Sequence, residues 1–188
     1  MLVREVQHRT RNMLSVIQAI ATQSFDGPLV PTKVRDAFIR RLQALAHAQT
    51  FVAAGPGGGV PTRELLTAAL LSFGPRVRIA CDATLIDGST AQTLALVMHE
   101  LASNSTQFGA LSVEPGSVEV SCVFDSSLVP GQLRLAWTER GGPPVSPPER
   151  TGFGARLLRV AGTAQLDFDR AGFAYRLAVP IPPHSMVM

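Results

Sequence analysis

The sequence predicts an α+β protein: a helical module first, then an α/β sandwich whose helices cover one face of a mixed sheet. Three observations carry that reading. Before residue 54, two long stretches repeat apolar residues three and four apart, the period of packed helices. The run Gly55-Pro56-Gly57-Gly58-Gly59 then reads as a flexible linker. Beyond it, short strand-like runs alternate with helical ones. At 188 residues with 46% hydrophobic content, the chain can form one medium domain or a small helical module plus a compact one.

The first helix is expected from about Val3 to Ser24. Val3, Val6, Thr10, Met13, Ile17 and Ile20 form its seam, and His8 falls furthest from that seam, toward solvent. Arg9 and Arg11 flank His8, and Asn12 lies one turn on. Taken alone, this position reads as an ordinary exposed histidine. Asp26-Gly27-Pro28 and Pro31-Thr32 mark a turn, with glycine and proline ending one helix and threonine capping the next. The second helix, about Thr32 to Ala53, is expected to bury Val34, Phe38, Leu42, Leu45 and Ala48, with His47 on its surface. The pair makes an antiparallel hairpin over residues 1–54, and its apolar seam predicts a four-helix bundle formed by dimerisation. The glycine linker also permits the hairpin to fold back on its own second domain.

Residues 60–182 form the expected second domain. It opens with a helix from Thr62 to Ser72, capped by Thr62, and a strand Val77–Cys81. The stretch from Ser89 to Leu111 is the helix around which the rest is organised. Gly88-Ser89 with Gln92 reads as a capping-box start, and Gly109 as a terminator able to take the left-handed conformation. Leu94, Val97, Met98, Leu101 and Phe108 mark a buried stripe. Glu100 and Asn104, four apart, share one rail, with Ser103 and Gln107 beside them. A carboxylate and an amide so placed can hold a water and a divalent cation, although an amphipathic surface helix explains the same residues without any site. Strands Val118 to Phe124 and Leu133 to Trp137, a loop from Gly141 to Thr151, a short helix from Phe153, and strands Ala164 to Phe168 and Phe173 to Val179 complete the order.

Composition narrows the function classes. A net charge of +3 is mild, and the basic residues are scattered without interleaved aromatics, which argues against nucleic acid as a partner. Cys81 and Cys122 have no metal-ligand spacing and sit in strand-like runs, so two buried reduced thiols are expected. No apolar run approaches the roughly 20 residues of a membrane span, and the N-terminus lacks a signal-peptide core. A cytoplasmic location is the expectation.

Three segments change the weight of the rail on the central helix. His99-Glu100-Leu101-Ala102-Ser103-Asn104 is followed by Trp137-Thr138-Glu139-Arg140-Gly141-Gly142-Pro143-Pro144, and then by Gly152-Phe153-Gly154-Ala155-Arg156-Leu157-Leu158. In order and spacing these resemble the nucleotide-binding boxes of a histidine kinase. The histidine before the glutamate and the Trp-x-Glu pattern point to the HWE class, and Glu5-Val6-Gln7-His8-Arg9-Thr10-Arg11-Asn12 is similar to that class's phosphoacceptor box. The likeness runs from about Val3 to Pro180.

The resemblance implies a dimerisation and phosphoacceptor hairpin over 1–54 and a GHKL (Bergerat-type) ATP-binding domain over 60–182. It implies a two-component histidine kinase that autophosphorylates His8 from ATP and passes the group to an aspartate on a response-regulator receiver domain. His8 and Glu100 would be the catalytic pair, Glu100 orienting or deprotonating the imidazole. The nucleotide site would draw on His99, Asn104, Gln107, Trp137, Glu139, Gly141, Gly142, Gly152, Phe153 and Gly154. Asn104 would hold Mg²⁺, a hard cation that takes few protein oxygens, and Glu139 would accept the adenine amino hydrogen. Trp137 and Phe153 are equally accounted for as core, and His99 as a brace.

Three departures from the family pattern stand out. Gln107 replaces the lysine expected to meet the phosphates, a loss of about 1–3 kcal/mol in triphosphate binding. Ala161-Gly162-Thr163 cuts the helix after Gly154 short by about two turns. No sensory segment precedes the first helix, so a separate sensor chain is expected. A histidine phosphotransferase whose nucleotide domain has degenerated into a docking module is the alternative these departures raise.

Overall fold

Apolar residues at every second position build the sheet of the computed structural model, which describes residues 17, 32–54, 59–82, 84–147 and 153–181. In chain order the strands are β1 (Val60–Pro61), β2 (Val77–Cys81), β3 (Leu85–Ile86), β4 (Ser117–Asp125), β5 (Gly131–Arg140), β6 (Thr163–Asp169) and β7 (Gly172–Ile181). The helices are α1 (Thr32–Ala54), α2 (Thr62–Leu70), α3 (Gly88–Phe108) and α4 (Phe153–Val160). Five strands form one mixed sheet in the order β2-β4-β5-β7-β6, with β2 and β4 parallel and the other pairs antiparallel. β1 and β3 form a small antiparallel ribbon of their own, which the sequence reading did not include.

Along β4, Val118, Val120 and Cys122 point inward while Glu119, Ser121 and Val123 face out. On β5 the inward set is Leu133, Leu135, Trp137 and Glu139. Such alternation is the mark of a sheet covered on one face. The cover is helical: Leu65, Leu66 and Leu70 of α2, Leu94, Val97, Met98 and Leu101 of α3, and Leu158 of α4 all join the same buried cluster. Cys81 and Cys122 are registered partners in the β2–β4 pairing, both free and buried. The α+β class therefore holds. Residues 1–31 lie outside the described set apart from Ile17, which is helical, so the first helix of the hairpin and His8 lie outside it as well.

Several local expectations are corrected. The cap of α3 is Asp87, not Ser89: its Oδ1 accepts the backbone N–H groups of Ser89 and Thr90 at 2.8 and 3.0 Å. Asp87 supplies there what the Ser89–Gln92 pattern was expected to supply. Thr62 does not cap α2; it is buried, and its hydroxyl donates to the carbonyl of Thr84 at 2.8 Å. That helix ends at Leu70, not Ser72, before a kinked 3₁₀ segment from Leu71 to Arg76. Phe108 is 69% exposed rather than buried: in the last turn of α3 it is Ser105, with Gly109 and Ala110 just beyond, that turns inward. Val34, near the start of α1, is exposed too, whereas Ala48 is fully buried.

Candidate functional site

The two carboxylates singled out from the sequence are both buried, each 4% exposed, and both are tied to α3. A carboxylate removed from water must be hydrogen-bonded or paired. They meet that demand in different ways.

Glu100 lies in the middle of α3 and is held by α1. Arg41 of α1 donates from both its Nε and an Nη nitrogen, the second reaching Oε2 at 3.0 Å. This is the two-pronged guanidinium–carboxylate geometry, stronger than a single charged contact. At the far end of the helix pair, a Cβ placed on Gly88 would touch the Val52 side chain at 3.0 Å. Arg41 opposite Glu100 and Val52 opposite Gly88 make α1 and α3 antiparallel neighbours. Asn104, one turn after Glu100, is exposed.

Glu139 closes the other end. Its Oε1 accepts the indole N–H of Trp137 at 3.0 Å and its Oε2 accepts the backbone N–H of Ala110 at 2.7 Å. Strand β5 is thereby bolted to the residues just past α3. Gly109 ends α3 with extended backbone, φ −113° and ψ −155°, so left-handed freedom is not its role. A Cβ there would fall 2.0 Å from Glu139 Oε2, and only glycine leaves room for the carboxylate. Gly141 takes φ +70°, a true glycine turn, and a Cβ on Gly142 would strike Ala110 Cα at 2.6 Å. In this structure the close approach that Gly142 permits is to Ala110.

His99, Ser103 and Gln107 occupy a third face of α3. They line a cleft of about 1020 Å³ between α1, α2 and α3, opposite Arg40, Gln43 and His47. Gln107 Nε2 donates to Ser103 Oγ at 3.3 Å. Asn104 is not among the lining residues. Burial holds the His99 imidazole below the usual histidine range; the Glu100 charge opposes this, while Arg40 and Arg41 push the same way. Phe153 and Gly154 open α4, and Gly152 lies outside the described residues, as does His8.

The structure thus joins Glu100 to α1, joins Trp137 and Glu139 to the Gly109–Ala110 end of α3, and sets His99, Ser103 and Gln107 along one wall of a cleft. It does not gather them all in one pocket. Arg41 and Ala110 were missed by sequence reasoning. A buried glutamate needs donors, charged or neutral, but nothing in the pattern around Arg40-Arg41 marks either arginine as the one that meets Glu100.

Residues 5–83 match the family model of the HWE histidine kinases. The likeness to that family is thus carried by the first part of the chain. Curated proteins similar to this chain include a blue-light-activated histidine kinase of Brucella anthropi, 31% identical over 170 residues, which cover 88% of this chain and 35% of that protein. Its counterpart in Brucella ovis is 27% identical over 190 residues, 96% of this chain and 39% of that protein. The chain therefore spans little more than a third of the length of these relatives. Among solved structures, the histidine kinase domain of the blue-light activated histidine kinase EL346 of Erythrobacter litoralis matches with a TM-score of 0.62 at 19% identity, over 94% of this chain and 89% of that one. That likeness is one of fold. Among the described residues no helix is long and apolar enough to cross a membrane.

Proposed function

We propose that this chain is the kinase core of a two-component system, which autophosphorylates His8 from ATP and hands the phosphoryl group to a response-regulator aspartate. The observation that carries the reading is one helix, α3, bearing a buried carboxylate at Glu100 and an exposed amide at Asn104 a turn later, its end fastened to Glu139 beside the Gly141 turn. The residues fit Mg-ATP. Each Glu139 oxygen accepts one N–H and keeps a lone pair, so the carboxylate can still receive an amino hydrogen at the adenine. Asn104 offers a neutral oxygen to a cation.

Bound ATP supplies the γ-phosphoryl group; the chain's own residues position the acceptor and manage its proton. Glu100 holds the His8 imidazole in the tautomer whose free nitrogen attacks, or takes its proton. Asn104 fixes the cation, and the Gly141–Gly142 turn and the start of α4 frame the nucleotide. Catalysis here is mostly positioning and charge neutralisation. Residues 1–54 act as the dimerising acceptor unit and 60–182 as the ATP-binding unit, in a cytoplasmic protein. Nothing in the relatives favours the degenerate docking module.

Calorimetry tests the proposal. Binding heat at sub-millimolar Mg-ATP, lost in Asn104→Asp, is the expected result. A flat titration of the folded wild-type chain would refute it.

A further inference from the structure

The contact between α1 and Glu100 has a consequence for the same site, and it rests on the kinase reading given above. A carboxylate that is to orient or deprotonate an imidazole needs a free oxygen facing it. Both Glu100 oxygens accept from one guanidinium, and the side chain is only 5% exposed beneath α1. Arg41 therefore competes directly with the acceptor histidine for the same two oxygens.

We propose that α1, docked along α3 through Arg41, is a brake: the structure captures a resting state in which the catalytic glutamate is sequestered, and phosphorylation requires α1 to release it. The geometry supports a release of one piece. The contact is made by a single helix lying antiparallel to α3, anchored by Arg41 near one end and by Val52 over Gly88 at the other. Ala48, fully buried between these points, lets the helices approach closely. Glu100 sits on a helix that sends Leu94, Val97, Met98 and Leu101 into the core, whereas among the described residues of α1 only Ala48 is fully buried there, so α1 is the partner able to leave. The element that sequesters the glutamate also follows directly on the predicted acceptor helix. A signal that moves the acceptor can thereby unmask the base in the same motion.

A reversible lock provides the test. A Cβ on Gly88 would lie 3.7 Å from Val52 Cβ, within the range of disulfide-bonded pairs. The Val52→Cys/Gly88→Cys chain should cross-link on oxidation, with the two single-cysteine variants as controls for Cys81 and Cys122. The cross-linked protein is expected to bind Mg-ATP as the reduced one does, yet to lose acid-labile labelling of His8, which returns on reduction. Arg41→Ala should speed labelling several-fold by shifting the population toward the released state. Wild-type labelling rates in the cross-linked protein would overturn the brake and leave the kinase reading intact. Loss of Mg-ATP binding on cross-linking alone would also overturn it, since the lock would then act on the nucleotide site. Absence of Mg-ATP binding in the wild type and in the reduced variant would overturn the kinase reading, and the brake with it.

Discussion

Glu100 and Glu139 are equally buried, and they differ in what satisfies them. Glu139 is held by an indole and a backbone amide from the fold's own core, neither of which can leave without unfolding β5 from the end of α3. Glu100 is held by a cation on a neighbouring helix that can undock as a unit. The first arrangement is permanent architecture, the second a contact that can be made and broken. Burial alone does not separate them; the identity of the donor does.

The largest effect should come from Glu139. Glu139→Ala orphans two buried donors at about 1–3 kcal/mol each, so urea denaturation should show a loss of about 2–6 kcal/mol. Glu139→Gln should rescue little, because an amide offers one acceptor oxygen to two N–H groups. A loss of a few tenths of a kcal/mol would mean that the carboxylate is not the bolt described here.

Arg41→Ala comes next. Breaking a buried ion pair typically costs about 3–5 kcal/mol when the remaining charge stays buried. Here α1 can peel back and let water reach Glu100, so the loss should stay under about 3 kcal/mol. Hydrogen exchange should show the α1 amides opening while β5 stays protected. Protection of α1 equal to that of β5 would remove the distinction between the two carboxylates.

Much of the fold was legible because it rests on periodicity. The alternation in Val118–Phe124 and Leu133–Trp137, and the stripe of Leu94, Val97, Met98 and Leu101, each follow from one face being covered. What was not legible depends on where elements end and meet. Ser89 and Asp87 are both good caps, and only the geometry shows that Asp87 accepts the N–H groups. Phe108 follows the apolar stripe of α3 but is exposed, because at the helix end Ser105 and Ala110 take the buried positions. Gly109 reads as a helix stop by conformation, whereas it is glycine because Glu139 needs the space. Of the site, the sequence marked Glu100, Asn104, Trp137 and Glu139, but not that Arg41 would claim Glu100.

Smaller effects sharpen the picture of α3 itself. Partial burial raises the Asp87 carboxyl, but hydrogen bonds from Ser89 and Thr90 outweigh it and hold the group below its ordinary value. Asp87→Ala should cost about 1 kcal/mol, and Asp87→Ser should recover most of it. The least effect concerns His99. Its folded value is depressed, so the unfolded chain binds the proton more readily, and stability falls as pH drops below the unfolded value of about 6.5. His99→Gln should flatten that acid-side decline in Tm; an unchanged slope would mean that burial does not disfavour the imidazolium.

The central claim is tested most directly by incubating the full chain with γ-labelled Mg-ATP and quantifying acid-labile, base-stable label, alongside His8→Ala and Arg41→Ala. The expected result is label on the wild type, more of it sooner on Arg41→Ala, and none on His8→Ala. Label that persists in His8→Ala, or its absence from both wild type and Arg41→Ala when both are folded, would contradict it.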